Sequence, residues 1–299
     1  MNWIFLVLIS HFSWAIENVY TKIMIESKVK NPYVFLVLIM VLSIVTLPFV
    51  PYQYIFSLNW STFGWLLLAS ILYTFGSFPY IKAMKLEEVT RINILWNTIP
   101  IFNLILAWLF INEKISTQEF FAMIFLISGA IIASLKINGS AGRFFRFSKA
   151  FWLMILACIF YAAYAVIVRF LSRDLNFYSI FFWVTLFNAI LVLVCLFYRD
   201  VRNDLLDTVH KESRSFFYIF LVVVAISNLG TLLNQWALSL KAGSLVYSFE
   251  GFQVLFVFIL SFLVSKLFPG FITESLDKKN LFVKFLAFLV VMIGLYLLM

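Results

Sequence analysis

Two carboxylates lie inside long apolar stretches of this sequence, where a charged group is costly. They are Glu17 and Glu250. A carboxylate removed from water must be protonated, paired with a cation or reached by water, because an isolated buried charge is strongly destabilising. Such a group can bind a proton or a cationic substrate. The alternative for Glu17 is a salt bridge with Lys22 or Arg169, which would give it a structural role.

The segment around Glu17 places its polar side chains on one side of a helix. At about 100° per residue, the polar residues from Ser10 to Lys22 fall within an arc of about 200°, and apolar residues fill the rest. Trp14 and Asn18 lie on this arc. A membrane-spanning helix cannot turn so wide a polar face to lipid, so we predict that it lines a wet cavity. Packing against polar groups of neighbouring helices is the alternative.

Polar or aromatic residues also recur at helical spacing near residues 90–112, 215–239 and 243–267. Two of these segments correspond to each other in the internal comparison given below. The pattern therefore predicts one central cavity that binds a small molecule. The residues predicted to line it are Trp14, Glu17, Asn18, Lys22, Asn93, Trp96, Asn97, Tyr161, Tyr164, Asn228, Gln235, Tyr247 and Glu250.

The sequence contains no recognisable catalytic or metal-binding motif. It has no glycine-rich phosphate loop, no paired histidines at metal-ligand spacing and no nucleophile with an evident base. Cys158 and Cys195 lie in apolar runs and are expected to pack as small hydrophobic residues. We therefore predict a protein that is not an enzyme and needs no cofactor or metal, and direct ATP-driven transport is disfavoured.

The composition indicates whether most of the protein surface faces water or lipid. The 299 residues are 64% hydrophobic and 12% charged, whereas soluble domains carry roughly 25% charged residues. Because such a small share of charged residues cannot cover a water-exposed surface, most of this surface must face lipid. The net charge of +8 does not indicate nucleic-acid binding, because the basic residues lie in short loops between apolar runs.

Ten apolar runs are long enough to cross a membrane as helices, which needs about 20 residues. The first begins at the N-terminus and is read as a retained helix, since it lacks the basic start and cleavage site of a signal peptide. The predicted helices cover residues 3–23, 33–50, 60–82, 90–112, 118–136, 149–170, 177–198, 215–239, 243–267 and 281–298. The longer polar connections are residues 136–149 and 199–214.

The chain resembles a duplication of five helices. Under shifts of 145 to 154 residues, the Asn-Pro-Tyr at 31–33 matches Asn-Phe-Tyr at 176–178, and Gly76 matches Gly230. The predicted halves are residues 1–136 and 149–299, joined by a linker at 137–148. Because five is odd, the second half would enter the membrane from the opposite side, which gives an inverted repeat.

Lysine and arginine are distributed unevenly between the two predicted sides. Of the 22 basic residues, 18 fall at the connections after odd-numbered helices and 4 on the other side. The positive-inside rule then predicts both termini outside the cytoplasm, in a multi-pass protein of the plasma membrane.

A further pattern runs through residues 75–136 of the first half. It comprises the A-x-x-L sequence from Ala83 to Leu86, Pro100 within the fourth run, Glu113 at the following turn, and Gly129. These features resemble the EamA-type domain of the drug/metabolite transporter superfamily. Trp14 with Lys22, and Tyr161 with Arg169, resemble the aromatic-then-basic pattern of that family's helices 1 and 6.

The resemblance implies ten helices, with helices 1, 3, 4, 6, 8 and 9 around the substrate and helices 5 and 10 at the periphery. The second half departs from the family's pattern, since Val254 stands for the proline and Leu267 for the turn glutamate. The resemblance also implies that both termini lie in the cytoplasm, as is usual for family members of this length. This conflicts with the count of lysine and arginine residues.

Three functions remain open at this stage. The leading hypothesis is a secondary transporter of a small polar or amphipathic metabolite, an exporter or importer working by alternating access as a monomer or homodimer. Its transport would be coupled to protons or another ion, and membrane lipid would surround it. The second is a flippase or carrier of a lipid-linked intermediate. The third is a membrane subunit or membrane enzyme without transport activity.

Overall fold

The computed structural model is a bundle of helices, and every regular element among its described residues is helical. The described residues are 2–55, 59–111, 116–134, 148–241, 243–247, 249–268 and 278–298. The α-helices are α1 (Trp3–Ser27), α2 (Pro32–Leu42), α3 (Trp60–Leu86), α4 (Val89–Trp96), α5 (Ile99–Ile111), α6 (Thr117–Ser134), α7 (Lys149–Leu171), α8 (Phe177–Leu191), α9 (Arg199–Lys211), α10 (Arg214–Leu240), α11 (Gly243–Tyr247), α12 (Glu250–Leu267) and α13 (Lys278–Leu298).

Eight helical stretches are long and apolar enough to cross a membrane. They are Trp3–Ser27, Pro32–Phe49, Trp60–Leu86, Val89–Phe110, Lys149–Leu171, Phe177–Phe197, Arg214–Leu240 and Glu250–Leu267. Shorter apolar helical stretches, Phe120–Gly129 and Leu281–Leu297, lie where the fifth and tenth crossings are predicted. The protein is therefore a multi-pass membrane protein.

Several helices begin at a polar residue whose side chain caps the first turn. The side-chain oxygen of Asn31 accepts a hydrogen bond from the backbone of Tyr33, and that of Asn176 accepts one from Tyr178. Ser213 does the same at the start of α10. A side-chain acceptor satisfies one of the amides that the first turn leaves unpaired. The aligned Asn-x-Tyr segments thus share a local structure.

Four of the predicted continuous helices are interrupted. The helix predicted at 90–112 breaks after Trp96 and resumes at Ile99, because Pro100 has no amide hydrogen to continue the ladder. The helix predicted at 243–267 is divided into α11 and α12. Both α2 and α8 tighten into 3-10 helix over their last turns, Ser43–Phe49 and Val192–Phe197.

The connection predicted at 199–214 is mostly the helix α9 rather than an extended polar loop. Its Val201 and Thr208 side chains are buried, whereas Leu206 and Val209 are exposed. The helix packs against α2 and the 3-10 turn that precedes it. An amphipathic helix of this kind suits a position at the membrane surface. Residues 137–147 of the predicted linker, and the turn containing Glu113, lie outside the described residues.

Among the described residues, the helices pack into one large core, a smaller core, and a cluster of four buried side chains, Leu47, Val50, Ile55 and Phe181. In the large core α1 lies along α10 and α12, α3 lies along α7, and α4 contacts α12. The smaller core joins α6 to α13 and links them to the α4, α5 and α12 side of the bundle. Two glycines lie at helix crossings of the large core, Gly76 against α7 and Gly230 against α1.

Candidate functional site: a central polar cavity

A cavity of about 150 Å³ lies in the middle of the bundle, between helices from both halves of the chain. Its walls come from α1, α2, α3, α4, α5, α7, α8, α10, α11 and α12. Ten of the residues predicted from the sequence line it: Trp14, Glu17, Asn18, Trp96, Tyr161, Tyr164, Asn228, Gln235, Tyr247 and Glu250. The helices predicted to be peripheral contribute none of the lining among the described residues.

Three predicted residues are not part of the lining, and each has another structural role. Lys22 donates from Nζ to the backbone oxygens of Met84 at 2.8 Å and Glu87 at 2.6 Å, at the end of α3. It also pairs with Glu26 at 3.0 Å. The Lys22 amine is therefore hydrogen-bonded to the end of α3 and does not face the cavity.

Asn97 and Asn93 lie one layer behind the cavity wall. The side-chain amide of Asn97 donates to the backbone oxygens of Asn93 and Ile94, both at 3.2 Å, and so closes the last turn of α4. Asn93 is buried and bonded to its own helix through the Val89 oxygen at 2.9 Å. Both side chains lie on the predicted polar stripe, but the neighbouring helices bury them.

Asn93 joins side chains from four helices into one hydrogen-bonded network. Its Oδ1 accepts from Asn18 Nδ2 at 2.8 Å and from Gln253 Nε2 at 3.0 Å. Asn18 Oδ1 in turn accepts from the hydroxyl of Tyr80 at 2.7 Å. At the other end, Gln253 Oε1 lies 2.9 Å from His11 Nδ1. The network holds α1, α3, α4 and α12 together behind the cavity.

The two carboxylates differ in their surroundings. Glu17 accepts a hydrogen bond from Thr21 at 2.8 Å. The salt bridge considered from the sequence is not formed, because Lys22 binds the end of α3 and Arg169 donates to the Leu238 backbone oxygen at 2.6 Å. Within the described part of the chain, Glu17 has no ion pair.

Glu250 is 4% exposed and lies at the start of α12. Its Oε2 is 3.9 Å from His11 Nδ1, which also contacts Gln253. His11 is fully buried, stacks edge-on against Trp14, and its Nε2 has no hydrogen-bond partner among the described residues. Glu250 therefore lies beside a titratable ring, whereas Glu17 does not.

One wall of the cavity is a continuous series of aromatic rings. Neighbouring ring centres are 5.1 Å apart from Tyr80 to Trp96, 4.9 Å from Trp96 to Tyr161, 5.0 Å from Tyr161 to Tyr73, and 5.2 Å from Tyr73 to Tyr164. We call these five rings the aromatic wall. Its hydroxyl groups are largely engaged by the protein, as Tyr161 bonds Ser77 at 2.7 Å and Tyr164 accepts from Gln235 at 2.9 Å.

The sequence analysis missed several residues of the lining and its support. Tyr73, Ser77 and Tyr80 line the cavity from α3. Their spacing of four and then three residues is typical of one helix face, so the signal was present in the sequence. Gln253 could also have been found, because it follows Glu250 by one helical turn. His11 lies on the predicted polar arc of α1, but only the fold brings Glu250 to it.

The chemistry available in the cavity is that of binding. Among the described residues, no group of three His, Cys, Asp or Glu side chains could hold a metal ion. The lining combines two carboxylates with aromatic rings and neutral amides and hydroxyls, and within the described part of the chain it includes no lysine or arginine. Such a surface can bind a small molecule through charge, ring contacts and hydrogen bonds.

Comparison with known proteins supports the fold and then the family. No curated protein matches this chain. One solved structure, titled only as the crystal structure of a protein, aligns with a TM-score of 0.60 over 98% of this chain and 95% of its own. The two sequences are 13% identical, so this likeness concerns the fold alone.

A sequence match to a known family covers the first part of the chain. The EamA-like transporter family matches residues 1–135, the segment that contains α1 to α6 and several of the cavity helices. This match covers the first predicted half, including Trp14, Glu17 and Trp96. The matched residues 1–135 thus place this part of the chain in the drug/metabolite transporter superfamily.

Proposed function

We propose that the protein is a secondary transporter that moves a small polar or amphipathic metabolite across the membrane by alternating access. The observation that carries this proposal is the cavity at the centre of the membrane-spanning bundle, with polar groups that lipid cannot solvate. A substrate site at the interface of two helical repeats is the usual plan of such transporters. The EamA-like match over residues 1–135 adds independent support. Transport, not catalysis, is the proposed activity.

The proposed architecture is ten crossings in two inverted repeats. Its support is a set of contacts between the halves that occur in equivalent pairs: each contact made by a helix of the first half has a counterpart made by the corresponding helix of the second. The first helix of each half packs against the third helix of the other, as α1 does with α10 and α7 with α3. Gly76 would place a Cβ 2.9 Å from Phe160, and Gly230 would place one 3.0 Å from Ser13. Phe160 and Ser13 are themselves related by the shift of 147 residues.

The proposed setting is the plasma membrane, with the lysine-rich end of the bundle in the cytoplasm. Lys30, Lys82 and Lys85 line one surface cleft together with Asp200 and Asp204 of α9. The connection after α1, the end of α3 and the start of α9 thus lie at the same end of the bundle. This agrees with the grouping of loops on which the positive-inside expectation rests.

Transport can be tested with the full chain reconstituted in liposomes. Uptake of radiolabelled amines, amino acids, sugars and nucleosides would be compared with that of empty liposomes. Ser227 lines the cavity, and Ser227→Trp is expected to fill it and abolish uptake. Ser215→Trp, at the exposed start of the same helix, is the matched control and should retain uptake. Equal uptake by both variants would contradict a route through this cavity.

A further inference from the structure

We infer that the central cavity binds a small organic cation, a protonated amine or a quaternary ammonium, with Glu17 as its principal counter-charge and the aromatic wall as its second contact. This inference deepens the proposed function, on which it rests for the movement of the bound molecule. Binding itself is a separate property and can be measured without transport.

The charge of the lining is the first argument. Glu17 and Glu250 supply acidic groups, and the described residues supply no lysine or arginine to the lining. Lys22 and Arg169, the basic residues considered from the sequence as partners of Glu17, are engaged elsewhere, since Lys22 binds backbone oxygens at the end of α3 and Arg169 binds those at the end of α10. An anionic ligand would therefore meet like charges without a counter-charge.

The missing partner of Glu17 is the second argument. Among the described residues, Glu17 accepts a hydrogen bond from the hydroxyl of Thr21 at 2.8 Å, which is one neutral hydrogen bond for a group with several acceptor sites. Glu250 has His11 at 3.9 Å, but Glu17 has no basic neighbour in the described part of the chain. Glu17 is partly buried in the cavity wall, and a carboxylate withdrawn from water is tolerated where a partner or water reaches it. A ligand cation would supply the counter-charge that no side chain of the described lining provides.

The aromatic wall is the third argument. Cations are attracted to the faces of tryptophan and tyrosine rings, most strongly where water is excluded. Trp96 and Tyr161 lie at the centre of the wall, 4.9 Å apart and nearly perpendicular. Because Tyr80, Tyr161 and Tyr164 already use their hydroxyl groups in bonds to Asn18, Ser77 and Gln235, the wall offers a ligand mainly ring surface.

The volume sets the size of the ligand. The cavity of about 150 Å³ is comparable to one that holds a benzene molecule. A cation with one ring or a few short alkyl groups fits this space, whereas a nucleotide or a lipid does not.

The test uses three ligands of nearly the same shape and different charge. Phenethylamine is the cation, 2-phenylethanol the neutral analogue and phenylacetate the anion, with tetraethylammonium as a second cation. Binding to the purified full chain in detergent would be measured by isothermal titration calorimetry. We expect phenethylamine to bind at least about tenfold more tightly than the neutral and anionic analogues, as a charge-assisted contact provides.

Two variants assign the counter-charge. Glu17→Gln keeps the shape of the side chain and should weaken phenethylamine binding at least about tenfold, with little change for 2-phenylethanol. Asp207→Asn on α9 removes a carboxylate that is 60% exposed and far from the lining, and it should leave both affinities unchanged. Thermal unfolding of each variant shows that it is folded, and if Glu17→Gln does not fold, the ligand series on the unaltered protein decides alone.

The inference is overturned if neither cation binds, if phenylacetate or 2-phenylethanol binds as tightly as phenethylamine, or if folded Glu17→Gln retains the preference for the amine. These outcomes are distinct from failure of the proposed function. Glu17-dependent amine binding without uptake into liposomes would leave the ligand class standing and contradict transport. Uptake of an uncharged or anionic metabolite that Ser227→Trp blocks would support transport and contradict the cation.

Discussion

At the scale of single residues, two basic side chains inside the bundle stabilise helix ends. Lys22 donates to the Met84 and Glu87 oxygens, and Arg169 donates to the Leu238 oxygen. The last carbonyl groups of a helix lack partners within it, and such groups are costly where lipid excludes water. A cation at this position also interacts favourably with the helix dipole. Met84 and Leu238 are related by the shift of 154 residues, so the two contacts are equivalent.

This role predicts that Lys22 contributes to stability more than to transport. Lys22→Met would remove the two hydrogen bonds to backbone oxygens and the ion pair with Glu26, and should reduce the free energy of unfolding by about 1–3 kcal/mol. Lys22→Arg should lose much less, since Arg169 fills the equivalent position. Thermal unfolding in detergent measures both, and uptake per folded molecule should be similar. A stable Lys22→Met protein without uptake would instead place the amine on the substrate route.

The sequence identified the face of α1 but not the depth of each residue on it. Helical spacing placed Glu17, Asn18 and Lys22 on one polar arc, and the structure has the first two lining the cavity. The partners of Lys22 are backbone oxygens of α3, and a residue pattern carries no information about carbonyl groups of another helix. The position of Asn97 could not be inferred for the same reason, because its partners are backbone oxygens at a helix end.

At the scale of helices, the close crossings are made possible by glycine. Gly76 lies where α3 meets Phe160 of α7, and Gly230 lies where α10 meets Ser13 of α1. Helices in membranes associate through close packing, because lipid removes the hydrophobic drive between them. Apolar run length predicted where most of these helices lie. It could not predict their interruptions, which depend on single residues such as Pro100 and on packing against the cavity.

A methyl group at the α3–α7 crossing should therefore be destabilising. Gly76→Ala would place its Cβ 2.9 Å from Phe160 Cβ and 3.2 Å from the Tyr161 ring, so the helices must move apart. We expect a loss of about 1–3 kcal/mol in the free energy of unfolding, as for other overpacked sites. Gly64→Ala in the same helix has nothing within 4 Å, and should be neutral or stabilising by up to about 1 kcal/mol. Thermal unfolding of the pair checks this, and equal losses would contradict the crossing.

At the scale of the whole molecule, the ionic contacts gather at the lysine-rich end of the bundle. Lys28 pairs with Glu212 at 3.5 Å and so links the end of α1 to the residue after α9. Lys284 of α13 pairs with Glu88 at 2.6 Å, and Arg91 lies 3.5 Å from the same carboxylate. These contacts connect both halves of the chain at one end. In the proposed alternating access, we expect an opening of the cavity toward this end to break some of them.

The proposed orientation of this end rests on its charge, and it can be measured with a pair of cysteine variants. Asn203 of α9 and Gln53, in the turn after α2, are both exposed, and α2 separates the two ends at which they lie. The native Cys158 and Cys195 are buried and offer little background. If the lysine-rich end is cytoplasmic, an impermeant maleimide applied to intact cells should label Gln53→Cys and leave Asn203→Cys unlabelled until the membrane is opened. Labelling of Asn203→Cys alone would show the opposite orientation. The positive-inside rule would then fail for this chain, although 18 of its 22 basic residues fall on one predicted side.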